Sequence, residues 1–284
     1  MIENLETLLA LSRTGTMMEA STELRISQSA VSKRIAALEK YYDRKLIQKK
    51  GRRVELTQHG QRLVDKISPV LTEIRDLFLD DASSRGELII GVSDAILSSW
   101  GPSVFYEVKR EMPDVKFVFH THRTPVVLDR IRSGEFMVGV CTGLESLDTD
   151  LQSEIITQES MVIIPSGLEP LDWKPEQDIE VISIEDHSGA WRSFKAEVSR
   201  LGIQRSVALE SFFSVAQMAI AGFGHGLVPI GVARTLGVPD KKMVHLGAQG
   251  LNRPVRFVAR KSTYSLPMVS QFYEALAARF QPNN

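Results

Sequence analysis

The sequence predicts a protein in three parts: a helical amino-terminal domain that ends in a β-hairpin, a long connecting helix, and a larger α/β region. Apolar residues recur at helical spacing near the amino terminus, and a stripe with heptad spacing follows. From Glu87 onward, short apolar strands alternate with amphipathic helices. The 284 residues suffice for two or three compact units, and a net charge of -1 with 43% hydrophobic residues excludes a natively unfolded chain.

Composition also bounds the compartment in which the protein works. The longest apolar runs, such as residues 215–223, fall short of the roughly 20 residues that span a bilayer. Glu3 and Glu6 occupy the place where an export signal would carry basic residues. Cys141 is the only cysteine, so it cannot form an internal disulfide, which is typical of a reducing compartment. The sequence therefore predicts a cytoplasmic protein with no membrane segment.

The amino-terminal segment predicts two short helices and a tight turn. Leu5 and Leu8 recur at helical spacing in the first helix. Gly15 is expected to end this helix, and a second helix is predicted for residues 17–24. Residues 25–26 then form the turn that leads into a third helix.

The third helix is predicted to begin after Ser27, which has the side chain of an N-cap residue. One face of this helix is apolar and carries Val31, Ile35 and Leu38, whereas the other face is hydrophilic. Amide, hydroxyl and cationic groups in the first turns of such a helix suit base edges and phosphates. The candidate DNA-binding residues in this segment are Ser27, Gln28, Ser29, Ser32, Lys33 and Arg34.

Positive charge is concentrated around this helix. Between Arg25 and Arg62 there are eleven basic residues against three acidic ones, a local balance of +8 in a nearly neutral chain. Such a concentration favours binding to a polyanion, because neutralised phosphates release condensed counterions. Charge alone fits a solvated basic surface equally well.

The residues after the third helix predict a β-hairpin. Gly51 marks a tight turn, and apolar residues alternate after it. Arg52 and Arg53 at the tip could lie against a minor groove or the phosphate backbone, so they are also candidate DNA-binding residues. The combined pattern predicts a winged helix-turn-helix domain over residues 1–60.

At these residues the chain resembles the LysR-type transcriptional regulators, a bacterial family that begins with such a domain. The resemblance is carried, in the family's order and spacing, by residues 27–32, Ile35, Leu38, Glu39, Leu46, residues 52–54, Leu56, Thr57 and Gly60. Residues 20–21, Asp43 and Ile47 depart from the usual pattern and are expected to be tolerated changes in the core and turns. The resemblance implies sequence-specific binding to double-stranded DNA.

Residues 61–85 are predicted to form a linker helix and a hinge, with Thr57 as the N-cap residue. Alternating spacings of four and three separate the apolar residues Leu63, Ile67, Val70, Ile74 and Leu77. In the resembled family this helix pairs two subunits, which implies a homodimer or a dimer of dimers. Packing of the stripe on its own domain is the alternative. Pro69 predicts a kink.

Residues 86–284 predict two α/β units. The first unit has predicted strands at 88–92, 115–121 and 136–141, with helices at 102–112 and 126–133. The second has predicted strands at 161–165, 179–184, 207–209, near 227 and 244, and at 255–260, with helices at 190–201 and 212–221. A helix at 266–280 closes the chain. We assign residues 86–160 and 266–284 to the first α/β unit and residues 161–265 to the second α/β unit.

This region resembles the LysR effector-binding domain, which is itself similar to periplasmic binding proteins. The resemblance rests on Gly91, residues 113–115, Gly134, residues 221–224 and residues 227–229. It implies a small-molecule effector in a cleft between the two units, since open α/β sheets bind ligands beyond the carboxyl ends of their strands. One departure is Met137, where the family usually has an aspartate.

Candidate effector-binding residues follow the predicted strands. Hydroxyl groups at helix N-termini suit a carboxylate or another anion, because free backbone N–H groups point there. The candidates are Ser93, Asp94, Ser98, Ser99, His122, Thr124, Thr142, Ser211 and Phe212. Each serine alone is more typical of a helix cap than of a ligand contact, so the prediction depends on the cluster.

Three further patterns admit a chemical interpretation. His120 and His122 could bind a metal, although two histidines at period two are more typical of the polar face of a strand. Cys141 could be a redox sensor, but a buried core thiol is favoured because no second cysteine is present. Residues 222–226 resemble a dinucleotide-binding loop with its helix and strand in the wrong order. The sequence therefore predicts no metal and no cofactor.

Together, the residues and the resemblance predict a LysR-type, sequence-specific transcriptional regulator and not an enzyme. No Ser/His/Asp order, nucleotide loop or carboxylate pair supports catalysis. The alternatives are an enzyme or transport-type binding protein with a fused helix-turn-helix, and a purely architectural DNA-binding protein. The second alternative leaves the α/β region unexplained. The resemblance also implies RNA polymerase as a partner, and it leaves open the effector, the target genes and the choice between activation and repression.

Overall fold

A computed structural model gives the fold of the chain. The structure describes residues 1–51, 53–79, 86–143, 150–175, 177–186, 188–246, 248 and 250–280. The chain divides into two compact units, Met1–Asp81 and Ala82–Asn284, which we call the first unit and the second unit. The two predicted α/β units both lie in the second unit. Within the described ranges, no helix has both the length and the apolar character needed to cross a membrane.

The first unit is built from helices and one hairpin. Its elements are α1 (Ile2–Thr14), α2 (Met17–Glu23), α3 (Gln28–Tyr42), β1 (Ile47–Lys50), β2 (Arg53–Leu56) and α4 (Gln58–Leu79). Leu8 and Leu11 of α1 pack against Val31, Ile35 and Leu38 of α3 in a buried core. The predicted winged helix-turn-helix is confirmed.

Local sequence signals set the helix boundaries in this unit. Gly15 adopts the left-handed conformation that ends α1, with a φ of 72°. The Thr16 hydroxyl accepts a hydrogen bond from the Glu19 N–H at 3.1 Å, and α2 begins after it. The Thr57 hydroxyl accepts from the Gly60 N–H at 3.1 Å, as an N-cap of α4 would. The predicted roles of Gly15 and Thr57 at the helix ends are therefore confirmed.

The helix α4 runs through Pro69 and carries the predicted apolar stripe. Leu63, at the start of the stripe, packs on the core of the first unit. Val70, further along, is 53% exposed. The side chain of Leu77 lies outside the described residues. The beginning of the stripe thus stabilises its own unit, whereas Val70 presents apolar surface.

The second unit alternates strands and helices. Its first part contains β3 (Gly86–Ser93), α5 (Asp94–Leu97), α6 (Gly101–Glu111), β4 (Val115–His122), α7 (Thr124–Arg132), β5 (Val138–Thr142) and β6 (Leu151–Ile164). Its second part contains β7 (Ile179–Ile184), α8 (Gly189–Arg200), β8 (Ile203–Leu209), α9 (Phe212–Ile220), β9 (His225–Pro229), α10 (Ile230–Thr235), β10 (Val244–His245), β11 (Asn252–Arg260), α11 (Lys261–Tyr264) and α12 (Pro267–Ala278).

The strands of this unit form one mixed sheet in the order β4-β3-β5-β11-β6-β9-β7-β8, with β10 paired to β6. β3 is parallel to β4 and β5, and β7 is parallel to β8 and β9. Between these two groups, β11 is antiparallel to both β5 and β6. Two parallel α/β units are therefore joined through the antiparallel strands β6 and β11.

Each α/β unit has its own hydrophobic core. The core around β3 includes Leu88, Ile90, Phe105, Phe257 and Phe272. The core around β7 includes Ile163, Val181, Phe194, Val215 and Leu227. This arrangement confirms the predicted α/β class with two lobes, which we call the first lobe and the second lobe.

The strands that cross between the lobes correct two sequence predictions. β6 begins at Leu151, well before the strand predicted from residue 161. The prediction missed the first half of this strand because polar residues interrupt it and no apolar run marks it. Residues 255–259 of β11 pair with β5, and Phe257 packs in the core of the first lobe. The predicted assignment of residues 161–265 to the second lobe is therefore wrong for residues 255–259 of β11, which pair with β5 and pack in the core of the first lobe.

Candidate nucleic-acid interface and ligand cleft

The amino-terminal turns of α3 present a polar surface. The Ser27 hydroxyl accepts a hydrogen bond from the Ala30 N–H at 3.1 Å and so acts as the predicted N-cap. Ser27, Gln28, Ser29, Ser32 and Lys33 are exposed. Because the opposite face of α3 is held in the core, these side chains have a fixed direction away from the domain. Their contact with DNA stays a prediction.

Arg34 lies in a different environment from the other candidates on α3. Its side chain is 26% exposed and forms an ion pair with Glu3 of α1. Its Nη1 also lies 3.5 Å from the Thr7 hydroxyl. Arg34 therefore joins α1 to α3, and it is less free than Lys33 to reach a phosphate.

The wing is a short two-stranded hairpin. Lys50 pairs with Arg53 across the turn, and Gly51 between them has a φ of 65°. Arg53 is exposed, whereas Arg52 lies outside the described residues. The Val54 N–H donates to the Gly15 carbonyl at 2.8 Å, which ties the wing to the end of α1. The hairpin thus holds its cationic tip in a defined position relative to the helices.

A cavity of about 180 Å³ lies in the second unit where strands end and helices begin. The residues that line it come from the start of α5, α7, α8 and α9, and from the ends of β5 and β7. Both lobes contribute, since Thr142 ends β5 and Ile184 ends β7. The position matches the cleft expected beyond the carboxyl ends of parallel strands. We call this cavity the cleft.

Several predicted effector-binding residues meet in the cleft. Its lining includes Ser93, Asp94, Thr124, Thr142 and Phe212. The hydroxyls of Ser93 and Thr124 lie 3.2 Å apart, and Thr124 donates to the Thr142 carbonyl at 2.9 Å. These bonds join β3, β5 and α7 at the floor of the first lobe. Ser211 is not among the lining residues, but its hydroxyl donates to Asp94 Oδ2 at 3.1 Å.

Three other candidates lie away from the cleft lining. The Ser98 and Ser99 hydroxyls donate to backbone carbonyls one turn earlier, at Asp94 and Ala95, so they serve the end of α5. His122 stacks on Phe136, with ring centroids 5.9 Å apart. Burial, together with the nearby charges of Arg130 and His120, holds the pKa of His122 below its usual value.

The structure adds charged residues to the cleft that the sequence did not single out. Arg123, from the first lobe, forms an ion pair with Glu185 of the second lobe. Arg253 of β11 is 1% exposed and lines the cleft from below. Its Nε and Nη2 donate to Glu159 Oε2 at 3.0 and 2.6 Å. Glu210 completes the charged lining.

His120 stacks on the same Phe136 ring as His122, with ring centroids 5.1 Å apart. In the part of the chain that the structure describes, no group of three or more His, Cys, Asp or Glu side chains is arranged to hold a metal ion. Met137, at the position where the resembled family has an aspartate, is 6% exposed and packs in the core of the first lobe. The departure at Met137 therefore extends the core.

Cys141 is fully buried in β5, and burial raises the pKa of its thiol to about 12. This environment favours a core thiol over a redox sensor. The unfolded thiol ionises near its ordinary pKa of 9.0, whereas the folded thiol stays protonated up to about 12. The unfolded state therefore binds fewer protons in this window, and the free energy of unfolding must fall as the pH rises.

We expect urea titrations of the wild type and a Cys141→Ala variant to differ by a constant amount below pH 9. Above that pH, the wild type should lose about 1.4 kcal/mol per pH unit relative to the variant. Alkylation of the folded protein by iodoacetamide at pH 8, at the rate of a free thiol, would contradict this assignment.

The first unit thus has the fold of a helix-turn-helix DNA-binding domain, and the second that of a two-lobed α/β ligand-binding domain. Residues 2–61 match the family described as bacterial regulatory helix-turn-helix protein, lysR family. Residues 81–281 match the LysR substrate binding domain. The chain belongs to the LysR family of transcriptional regulators, with a DNA-binding domain and an effector-binding domain.

Similar proteins extend over nearly the whole chain. An uncharacterized HTH-type transcriptional regulator of Vibrio cholerae serotype O1 is 28% identical over 279 residues, covering 97% of this chain and 95% of the relative. A full-length OxyR variant from Pseudomonas aeruginosa has a TM-score of 0.76 at 16% identity, covering 100% and 98% of the two chains. CbnR, a LysR family transcriptional regulator, has a TM-score of 0.66 at 15% identity, covering 99% and 100%. CbnR is also known in complex with its target DNA. The two structural likenesses show a shared fold.

Proposed function

We propose that this regulator binds operator DNA through the exposed face of α3 and the wing, and that a small molecule in the cleft changes this binding. The observation that carries the proposal is the cleft itself, which collects polar groups from both lobes at the starts of several helices. A ligand that contacts both lobes can bind one arrangement of the lobes more tightly than another. Only such a difference in affinity between two arrangements lets a ligand switch a regulator.

The DNA-binding part of the proposal rests on α3. Gln28, Ser29, Ser32 and Lys33 are exposed at its amino-terminal end, where a recognition helix approaches base edges. Gln28 can donate to and accept from an adenine edge, whereas Lys33 suits a phosphate. Arg53 on the wing adds a second cationic contact. The target DNA of CbnR supports double-stranded DNA as the partner.

The ligand part of the proposal rests on helix N-termini. The helices α7, α8 and α9 begin at the cleft, and their N-cap residues Arg123, Ser188 and Ser211 make no capping hydrogen bond with their side chains. The backbone N–H groups of these first turns can therefore donate to a ligand, and the helix dipoles favour a negative group. A carboxylate or another anion fits this environment.

The remaining partners belong to the same proposal. The exposed Val70 on α4 supports pairing of two copies of the chain along the apolar stripe, in a homodimer or a dimer of dimers. A dimer would present two α3 helices to a dyad-symmetric site. We further propose that the protein acts in the cytoplasm and contacts RNA polymerase. No group in the described residues favours a catalytic role, so we propose no enzymatic activity.

Substitution of Gln28 tests the DNA interface. We expect Gln28→Ala to weaken binding to an operator selected from random duplexes by about 1–3 kcal/mol, with little change for unrelated DNA. Lys33→Ala should weaken binding to both DNAs. It should also reduce the slope of log affinity against log salt concentration by about one, the value for one phosphate contact. Fluorescence anisotropy titrations at several salt concentrations measure both effects. The matched control is Gln271→Ala, an exposed glutamine on α12.

Substitution of Arg34 distinguishes a residue that contacts DNA directly from one that stabilises the domain. Because its guanidinium is paired with Glu3, we expect Arg34→Ala to lower the stability of the first unit together with its affinity for DNA. Operator titrations of Gln28→Ala that superimpose on the wild type would contradict the assignment of α3 as the reading helix.

A further inference from the structure

The charged residues of the cleft do not balance one another. Arg123 is paired with Glu185, and Arg253 is paired with Glu159, which is not among the residues that line the cleft. Asp94 and Glu210 also line the cleft, and neither forms an ion pair with any of the described residues. The Ser211 hydroxyl donates to Asp94, which places this carboxylate beside the segment that carries Glu210. One side of the cleft therefore has an excess of negative charge.

The floor of the cleft has the opposite character. Arg253 is almost fully buried, and its Nε and Nη2 are used by Glu159. Its Nη1 makes no hydrogen bond with the described residues, and Arg253 lines the cleft, so this group is available to a ligand. The guanidinium lies over the Phe212 ring, 5.4 Å from its centroid, which fixes its direction. The uncapped N-terminus of α9 begins beside it.

We propose that the cleft binds a small zwitterion, of the amino acid class, with its carboxylate at Arg253 and its ammonium group at Asp94 and Glu210. This inference rests on the proposed function of the cleft and names the class of its ligand. A simple anion would satisfy Arg253 but bring negative charge toward two unpaired carboxylates. A simple cation would leave Nη1 of Arg253 and the helix N-termini without an acceptor. A molecule with both groups satisfies both sides.

The size of the cleft limits this ligand. Its volume of about 180 Å³ lies below the range of about 300–1,000 Å³ that is typical of pockets for drug-sized ligands. The apolar part of the lining comes from Ala95, Pro125, Val126, Ile184, Ala190 and Phe212, and it can receive an apolar side chain. A free amino acid with a short or medium side chain suits these dimensions better than a peptide.

The test compares matched ligands on the full-length protein. The twenty amino acids are titrated by isothermal calorimetry. For each amino acid that binds, two matched compounds are titrated in the same way: the amine that lacks its carboxylate and the acid that lacks its ammonium group. We expect at least one amino acid to bind, and its amine and acid to bind about tenfold or more weakly, since each loses one charged hydrogen-bonded group.

Substitution of Asp94 tests the ammonium position. Asp94→Asn keeps the shape of the side chain and its bond from Ser211, so the protein should fold as before. We expect the variant to bind the amino acid about tenfold more weakly and the matched acid no more weakly than the wild type. The control is Glu180→Gln, an exposed carboxylate on β7 outside the cleft lining, which should leave both affinities unchanged.

Two results would overturn the inference. An acid that binds as tightly as its parent amino acid would show that Asp94 and Glu210 do not read an ammonium group, and the cleft would remain an effector site for anions. A panel in which no amino acid binds would also reject the zwitterion. Neither result touches the DNA interface, because the Gln28→Ala titrations test that part of the proposed function separately.

Discussion

Arg253→Met should destabilise the second unit by about 3–5 kcal/mol, the cost of leaving a buried charge without its partner. Arg253 and Glu159 are directly opposite each other on β11 and β6, the two strands that cross between the lobes, and their side chains are 1% and 6% exposed. In the variant, the bond from the Gly231 N–H, at 3.2 Å, is the one that the Glu159 carboxylate keeps among the described residues. Methionine fills much of the same space, so the loss should come from charge and hydrogen bonding.

A double variant separates the lost pair from general damage to the core. In Glu159→Gln with Arg253→Met, the amide oxygen can still accept from Gly231 and no charge remains buried. We expect this double variant to be more stable than Arg253→Met alone, because neutral replacement of a buried ion pair is often tolerated. Glu87→Gln, which breaks an exposed pair with Lys116, should change stability by less than about 1 kcal/mol.

Urea unfolding followed by tryptophan fluorescence measures these differences. Trp100, Trp173 and Trp191 are the only tryptophans of the chain, and all belong to the second unit. The signal therefore reports this unit alone. A loss below about 1 kcal/mol for Arg253→Met would show that the pair is hydrated in solution, in the range of an exposed ion pair.

The amino-terminal unit could be predicted almost fully from the sequence because its signals are local. Gly15, Thr16, Ser27 and Thr57 mark helix ends within one turn of the residues that they cap. The crossing strands could not be predicted in this way. The first half of β6 lacks a continuous apolar run, and the pairing of β11 with β5 joins residues that are far apart in the chain.

The same distinction applies to the cleft. Ser93, Thr124 and Thr142 follow predicted strands, and the carboxyl ends of parallel strands meet at one edge of a sheet, so their place in the cleft was predictable. Arg253 could not be found from the sequence, since its partner Glu159 is 94 residues away and nothing local marks either residue as buried. His122 also ends a strand, but its ring stacks on Phe136.

Gly143→Ala should disturb the contact that brings the two lobes together beside the cleft. A Cβ at Gly143, just after β5, would lie 2.0 Å from the carbonyl carbon of Gly189 at the start of α8. No side-chain rotation relieves this clash, because the neighbouring atoms are backbone. Gly143 also has a φ of 73°, which costs an alanine about 1–2 kcal/mol. Together with a steric cost of about 1–3 kcal/mol or more, we expect a loss of roughly 2–5 kcal/mol in the free energy of unfolding.

Gly237→Ala is the matched control for this substitution. Gly237 has the same φ of 73°, but apart from its own residue and its two chain neighbours no heavy atom lies within 4 Å of the position that a Cβ would take there. Its alanine variant should therefore show the backbone cost alone, and the difference between the two variants measures the clash. Because Thr142, Gly189 and Ala190 line the cleft, forcing these segments apart should also weaken ligand binding by Gly143→Ala and leave binding by Gly237→Ala unchanged. Equal losses of stability in the two variants would mean that the lobes separate freely at this point in solution.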